Sequence, residues 1–304
     1  MTDALTLDAT DAEVILAPDA GGAIAAFTFR GMDVLRPTTV EDRDRRNVHG
    51  HACFPLIPYS NRIADGSLVF EGTTHTLARN SGDNKHSIHG VGWERPWKVE
   101  ARDRTSALLA FAHEPTGDDA KIWPWPFAAT LVFALASDGH GASLAVKLGI
   151  VNTGTAPFPF GLGFHPYFPK PPSTTLRFSA EGMWETDSTM LPLKCVPLGS
   201  AERFDPARTL EDTTLDNVFV GWDGVATLTH PREGLVVTIG ADRTARFLVV
   251  YTPRARNYLA VEPVTHMTDA FNRMARGESD TGARVLDAGA TFSYTMRIDA
   301  RKLT

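Results

Sequence analysis

The sequence predicts an all-β protein arranged as one large antiparallel β-sandwich. Short apolar or alternating runs rich in Val, Leu, Phe and Thr recur along the chain, whereas helical periodicity is hard to find. The 25 glycines and 20 prolines are spread over the 304 residues, and no linker or shift in composition divides them. We therefore expect a single domain over residues 1–304.

The strand pattern is clearest in residues 130–135 and 144–148, two short runs rich in apolar side chains. Between them lies Asp138-Gly139-His140-Gly141, a cluster of turn-forming residues, so this segment predicts a β-hairpin. Similar turn-forming residues border other short apolar runs. They are Asp65-Gly66 before residues 68–70, Asp223-Gly224 after residues 218–220, and Arg232-Glu233-Gly234 before residues 235–237.

Composition excludes several classes of partner. The formal net charge is -6 and the pI is about 5.9, so nothing favours binding to nucleic acid or to an anionic membrane. No apolar stretch reaches the ~18 residues of a membrane span. Residues 1–14 are polar and acidic, unlike a secretory signal, and Cys53 and Cys195 are far apart in sequence. We therefore expect a cytoplasmic protein with two free thiols.

The most unusual residue in the sequence is Glu262. It follows Leu259-Ala260-Val261 and precedes Pro263, which predicts a carboxylate at the end of a buried strand. Burial of a carboxylate is costly unless the group is paired or hydrogen-bonded. A structural ion pair and a functional carboxylate therefore explain Glu262 equally well from its context.

A second candidate is His165, within the stretch GFHPYFP of residues 163–169. Pro166 favours an extended backbone at His165, and Phe164, Tyr167 and Phe168 are expected to surround the imidazole with apolar surface. This setting is compatible with a pKa near neutrality and with acid/base work. A histidine among aromatic residues is also a common feature of a protein core.

Other polar residues stand beside glycine or apolar neighbours. Arg62 offers a planar set of donors for sugar hydroxyls or a carboxylate, although it is also explained as a surface arginine. His89 precedes Gly90, which allows a ligand to approach the backbone. Asp216 is an acceptor suited to hydroxyl pairs, and equally a turn residue before Asn217.

Metal, nucleophilic and phosphate-binding sites are less well supported. His49-x-His51 would present two imidazoles to one side of a strand, but no carboxylate follows until Asp65, so we expect no metal. The sequence has no G-x-S-x-G motif and no P-loop. Gly161-Leu162-Gly163 lacks the third glycine of a dinucleotide loop.

Taken together, the motifs resemble the aldose 1-epimerases, also called galactose mutarotase-like proteins. They occur in that family's order over nearly the whole chain: Asn61-Arg62-Ile63, Asp65-Gly66, Phe70-x-Gly72, His89-Gly90, Asn152-Thr153-Gly154, His165-Pro166-Tyr167-Phe168, Leu215-Asp216, Val261-Glu262-Pro263 and Asp269-Ala270-Phe271-Asn272.

This resemblance implies a large antiparallel β-supersandwich that interconverts sugar anomers without a cofactor, acting on a small monosaccharide as a monomer or homodimer. The family's base and acid fall on Glu262 and His165. The positions that hold substrate hydroxyls are Asn61, Arg62, His89, Tyr167 and Asp216.

The sequence departs from the galactose enzymes beside the acid, where Phe164 precedes and Pro166 follows His165. The Pro-Trp-Phe-Gly segment of the hexose 6-phosphate branch is not seen either, which favours an unphosphorylated aldose. A hexose-6-phosphate mutarotase, a non-catalytic carbohydrate-binding protein on the same fold, and a sugar isomerase or lyase remain the alternatives.

Overall fold

The protein is described from a computed structural model, which covers residues 4–44, 47–82 and 85–303. The described residues form 27 strands, three short α-helices and three 3-10 turns. The helices are α1 (Val40–Asp44), α2 (Asp119–Ile122) and α3 (Ala270–Ala275), and the 3-10 turns are Val48–Gly50, Ala64–Gly66 and Gly92–Glu94. The all-β prediction is confirmed.

The strands are, in chain order, β1 (Leu5–Ala9), β2 (Ala12–Ala17), β3 (Ala23–Phe29), β4 (Met32–Asp33), β5 (Pro55–Leu56), β6 (Arg62–Ile63), β7 (Ser67–Phe70), β8 (Thr73–Thr76), β9 (Ser87–Ile88), β10 (Lys98–Arg102), β11 (Ser106–His113), β12 (Phe127–Ser137), β13 (Gly141–Asn152), β14 (Phe158–Phe160), β15 (Gly163–Phe164), β16 (Tyr167–Pro169), β17 (Thr175–Phe178), β18 (Gly182–Thr186), β19 (Pro192–Pro197), β20 (Phe204–Thr209), β21 (Asp216–Val220), β22 (Val225–His230), β23 (Leu235–Ala241), β24 (Phe247–Tyr251), β25 (Tyr258–Val264), β26 (Arg284–Leu286) and β27 (Thr291–Lys302).

Two large antiparallel sheets dominate the architecture. One has nine strands in the order β10-β11-β12-β13-β27-β23-β22-β17-β20, and the other has eight, with the path β19-β18-β21-β24-β25-β15-β5 and β16 also paired to β25. A four-stranded sheet, β1-β2-β3-β4, and three two-stranded ribbons complete the described part. Tyr294 of β27 joins the two large sheets, because its ring packs on Phe164 and its hydroxyl donates to the carbonyl of Pro263 at 3.2 Å.

The predicted hairpin is present as β12 and β13, paired in antiparallel register with Leu131 opposite Leu148. Alternate residues of both strands are buried, as a half-buried strand with one face on the core requires. The turn between them is held by Asp138, whose carboxylate accepts the backbone N–H groups of His140 and Gly141 at 2.9 and 3.0 Å. The runs near residues 68–70, 218–220 and 235–237 are strands too.

Strand β25 differs from the expectation at its carboxyl end. Glu262 does not end the strand, which continues through Pro263 to Val264 and pairs with β24 over residues 260–264 on one side. On its other side β25 pairs with Gly163 and then with Tyr167, so the ladder is interrupted between these two contacts. A proline, which lacks an N–H donor, is tolerated where a ladder is interrupted.

No helix among the described residues has the length and apolar character needed to cross a lipid bilayer. The polar amino-terminal segment discussed above contributes β1 and β2, while residues 1–3 lie outside the described residues. Cys53 is buried and Cys195 is exposed, and both are free thiols.

Candidate active site

A polar cavity of about 240 Å³ lies at the interrupted edge of β25. This volume is at or below the small end of ligand pockets, which favours one small molecule over a polymer. All seven residues selected from the sequence line this cavity, together with five others. The lining residues are His49, Asn61, Arg62, Ser81, Ile88, His89, His165, Tyr167, Asp216, Val249, Tyr251 and Glu262.

The break between β15 and β16 places His165 beside Glu262. His165 lies in the two-residue gap between these strands, opposite the unpaired part of β25 that carries Glu262. The Nε2 atom of His165 is 3.4 Å from Oε1 of Glu262 and 3.4 Å from the hydroxyl of Tyr167. A proton donor and acceptor therefore meet at one point of the cavity wall.

Aromatic rings hold the imidazole of His165, but they are only partly those that the sequence indicated. The ring of Tyr167 lies 4.4 Å away between centroids, and Phe54, which the sequence analysis missed, lies 4.9 Å away. Phe164, the residue before His165, packs instead on Tyr294. The second wall therefore comes from a distant part of the chain.

Burial pushes the two ionisable groups toward their neutral forms. The pKa of Glu262 is raised well above its ordinary 4.5, first by burial and then by the nearby charge of Asp216, with Arg62 acting in the opposite direction. The pKa of His165 is lowered well below 6.5, mainly by burial. The expectation of a pKa near neutrality for His165 was wrong, because the imidazole is more deeply buried in the cavity wall than the local sequence suggests.

The two ring nitrogens of His165 have different surroundings. Its Nδ1 atom is buried without a hydrogen-bond partner among the described residues, whereas Nε2 faces Glu262 and Tyr167. Nε2 is therefore the ring nitrogen that can exchange a proton with a molecule in the cavity.

Asn61 and His89 lock each other in an unusual backbone conformation. Both have a left-handed backbone, with φ of 60° and 61°, which costs about 1 kcal/mol or more for a residue other than glycine. The N–H of His89 donates to the carbonyl of Asn61 at 3.0 Å, and the N–H of Asn61 donates to Nδ1 of His89 at 3.1 Å. His89 is therefore the neutral Nε2–H tautomer, and its ring lines the cavity as a hydrogen-bond donor.

Arg62 is oriented by the amide of Asn61 and the carboxylate of Asp216. The side-chain oxygen of Asn61 accepts the backbone N–H of Arg62 at 2.9 Å and its Nη1 at 3.1 Å. Nη2 of Arg62 lies 4.0 Å from Oδ2 of Asp216, on β21. Burial raises the pKa of Asp216, and the charge of Arg62 opposes that change.

Buried residues hydrogen-bond to the backbone of the segment that carries Asn61 and Arg62 and hold it in place. Nε2 of His266 accepts the N–H of Ser60 at 2.9 Å, and Asp269 accepts the N–H of Ala64 while its own N–H donates to the carbonyl of Arg62. Gly161 is required beside His266, because a Cβ atom there would lie 1.8 Å from Cδ2 of the imidazole.

The two histidines at positions 49 and 51 do not face one side of a strand. His49 lies in a 3-10 turn rather than a strand, lines the cavity and packs on Trp93, whereas Nδ1 of His51 is bonded to the carbonyl of Asn47 at 2.9 Å. Within the part of the chain that the structure describes, no three His, Cys, Asp or Glu side chains converge on a point suited to a metal ion.

His49, Ser81, Ile88, Val249 and Tyr251 also line the cavity and were missed as site residues. Two of them follow from the strand register once the structure is known. Val249 is the register partner of Glu262, and Tyr251 lies two residues further on the same strand, so both face the side of Glu262. Predicting them requires the β24 to β25 register, which the sequence alone does not supply.

The fold and the cavity together define a β-sandwich protein with a polar pocket for one small molecule and a paired proton donor and acceptor. Residues 3–299 match the family described as aldose 1-epimerase, and the chain belongs to that family.

Individual proteins and solved structures are similar to this chain over most of its length. YphB, an uncharacterised protein of Escherichia coli K12, is 28% identical over 279 residues, which cover 86% of this chain and 91% of YphB. A solved structure from the same organism superposes with a TM-score of 0.88 at 24% identity, covering 99% of both chains. A galactose mutarotase-like protein from Clostridium acetobutylicum has a TM-score of 0.85 at 20% identity, covering 98% of this chain and 95% of that chain. The galactose mutarotase-like fold expected from the sequence is therefore confirmed.

Proposed function

We propose that this protein interconverts the α and β anomers of an unphosphorylated aldose by opening and closing its ring. The observation that carries the proposal is the approach of Nε2 of His165 to within 3.4 Å of Oε1 of Glu262 inside a small polar cavity. Opening a cyclic hemiacetal requires a base for the proton on O1 and an acid for the ring oxygen O5. Both oxygens are bonded to C1, so the two groups must lie close together.

Two proton transfers open the ring, and their reversal closes it. Glu262 as carboxylate removes the proton from O1, the C1–O5 bond breaks, and His165 as imidazolium delivers its Nε2 proton to O5. The open aldehyde then turns about the C1–C2 bond and presents its other face to O5. Closure reverses both transfers: His165 takes the proton of O5, and Glu262 returns its proton to O1.

The buried pair already holds the number of protons that this cycle needs. The neutral pair favoured by burial contains as many protons as the working pair of carboxylate and imidazolium, since the two differ only in the position of one proton. No proton has to enter from solvent during turnover. The reaction changes no oxidation state, and its proton transfers are completed by these two side chains, so it needs no cofactor.

The remaining polar residues would hold the sugar. The Nε2–H of His89 and the guanidinium of Arg62 supply donors, while Asn61, Tyr167 and Asp216 supply further polar groups around the ring. Donors fixed before the substrate arrives also stabilise charge that develops on the sugar oxygens. This arrangement supports substrate-binding roles for all five residues.

The charge of the lining favours a neutral sugar over a sugar phosphate. Among the described lining residues Arg62 is the permanent cation, and its guanidinium faces Asp216 at 4.0 Å. Burial also favours the uncharged form of His49, His89 and His165. A phosphate dianion would therefore enter without a free cationic partner, which is costly in a partly buried site.

The proposal is tested by measuring anomer exchange with NMR over galactose, glucose, xylose, arabinose and fucose. We expect catalysed exchange of at least one sugar by the wild-type protein. The Glu262→Gln variant should be slower by about 10²- to 10⁴-fold, the usual cost of losing a general acid or base. Glu13→Gln, on an exposed position of β2, is the matched control and should keep the wild-type rate.

Other outcomes of the same screen distinguish the alternatives. Sugar binding without faster exchange in any sugar would contradict the proposal and favour a carbohydrate-binding protein. Exchange restricted to a hexose 6-phosphate, added as a sixth substrate, would contradict the choice of an unphosphorylated aldose. A net new product would identify an isomerase or lyase instead.

A further inference from the structure

Arg36 is an arginine behind the cavity wall that contacts several site residues at once. It follows β4 and belongs to none of the motifs that the sequence analysis selected. Its guanidinium carbon lies 4.0 Å from the ring centroid of Tyr167 and 4.5 Å from that of Tyr258. Its backbone N–H donates to the carbonyl of Tyr167 at 2.9 Å. Both the main chain and the side chain of Arg36 therefore hold Tyr167.

The same guanidinium also fixes the neighbouring wall of the cavity. Nη2 of Arg36 donates to the carbonyls of His49 and His51 at 2.8 and 2.9 Å. The ring of His49, whose backbone is held in this way, packs on Trp93 with centroids 4.8 Å apart and lines the cavity. A planar group that stacks on rings and donates in its own plane is a property of arginine that lysine does not share.

We propose that Arg36 is a positioning residue for the acid of the reaction: it fixes Tyr167 and His49 around His165 and places a permanent positive charge near that imidazole. The expected effect of Arg36 on turnover rests on the proposed function. The expected effect of Arg36 on the titration of His165 does not. Tyr167 is the link, because its hydroxyl lies 3.4 Å from Nε2 of His165 and its ring lies against the imidazole.

Several titratable groups besides Arg36 surround the imidazole of His165. Glu262 faces the imidazole from β25, and Tyr167 faces it from β16. His89 and His49, which lie outside these two strands, line the same cavity. Burial is the largest cause of the lowered pKa of His165, and the charges of His49 and Arg36 act in the same direction. A weakly basic imidazole is a strong acid once protonated, which suits proton delivery to O5.

Two substitutions separate the charge of Arg36 from its shape. Arg36→Gln removes the charge and keeps an amide donor for the carbonyls, whereas Arg36→Lys keeps the charge and loses the planar fork. A matched control is Arg284→Met, because Arg284 lies 4.9 Å from the ring of Phe292, is exposed and does not line the cavity. Each variant is first checked for native folding by its NMR spectrum.

The imidazole of His165 is titrated by NMR in each variant, and kcat and KM are measured by anomer exchange. We expect the pKa of His165 to rise in Arg36→Gln and to stay low in Arg36→Lys. We expect kcat to fall roughly 10- to 100-fold in both variants, as for a small displacement of a catalytic group, with little change in KM. Arg284→Met should change neither quantity.

A wild-type titration and a wild-type kcat in Arg36→Gln would overturn the proposal, as would equal changes in Arg284→Met. If Arg36→Gln does not fold, the lysine variant decides: a reduced kcat with an unchanged titration supports the positioning role, and a wild-type kcat overturns it. If the wild-type protein shows no anomer exchange, the proposed function fails, whereas the titration still tests the placement of charge by Arg36.

Discussion

Nε2 of His165 lies 3.4 Å from Oε1 of Glu262, at the point where the ladder between β25 and its neighbouring strands is interrupted. Continuous pairing would fill this position with backbone hydrogen bonds. The break instead allows an imidazole to stand beside a carboxyl group at the wall of a polar cavity. The site thus lies at a local interruption of the sheet.

The pH dependence of turnover follows from the opposite shifts of the two pKa values. The working pair shares one proton, so activity is lost when the pair gains a second proton or loses the first. Because the pKa of His165 is lowered below 6.5 and that of Glu262 is raised above 4.5, we expect a plateau between the two shifted values. The measurement is the pH profile of kcat/KM from NMR anomer exchange. Activity that rises steadily to high pH, with no alkaline limb, would contradict this assignment.

Charges on either side of Glu262 should move the alkaline limb of that profile in opposite directions. The negative charge of Asp216 raises the pKa of Glu262 and the positive charge of Arg62 lowers it. We therefore expect Asp216→Asn to move the limb to lower pH and Arg62→Gln to move it to higher pH, with a higher KM in both. Asp299→Asn, which removes the partner of Arg297 on an exposed face of β27, is the control and should leave the limb in place. Shifts in the same direction for both site variants would refute the electrostatic argument.

Stability at acid pH should depend on His266. Burial lowers the pKa of His266 from 6.5 to about 4, so the unfolded state binds a proton between these values that the folded state does not. The stabilisation from neutral His266 is therefore complete above pH 6.5 and is lost as the pH falls toward 4, by about 3 kcal/mol in total. Urea unfolding of His266→Gln between pH 6.5 and 4 should show a shallower decline than the wild type. The exposed His140→Gln is the control, and an equally steep decline in His266→Gln would disprove the prediction.

Local sequence patterns were sufficient to predict the strands but not the contacts between segments that are distant in sequence. The hairpin of β12 and β13 follows from alternation and from the turn at Asp138, both of which are properties of adjacent residues. Phe54 and Arg36 reach His165 and Tyr167 through pairings between distant segments. Such contacts depend on strand register, which short-range patterns do not determine.

The chemistry of individual residues was also only partly predictable. The anomalous context of Glu262 marked it correctly as buried, because an apolar run on one side and a proline on the other leave little access to water. The pKa of His165 was misjudged, since burial by Phe54 and Tyr167 is a tertiary effect. The single domain over residues 1–304, the monomeric or homodimeric state and the independence from cofactors stay predictions.

The most direct test of the proposed pair is a double-variant cycle of NMR anomer exchange on the best substrate, comparing wild type, Glu262→Gln, His165→Asn and the variant with both changes. If the two residues act as one proton-transfer unit, each single change costs about 10²- to 10⁴-fold and the double variant is no slower than the slower single variant. Multiplying effects, or a single variant with the wild-type rate, would contradict the account.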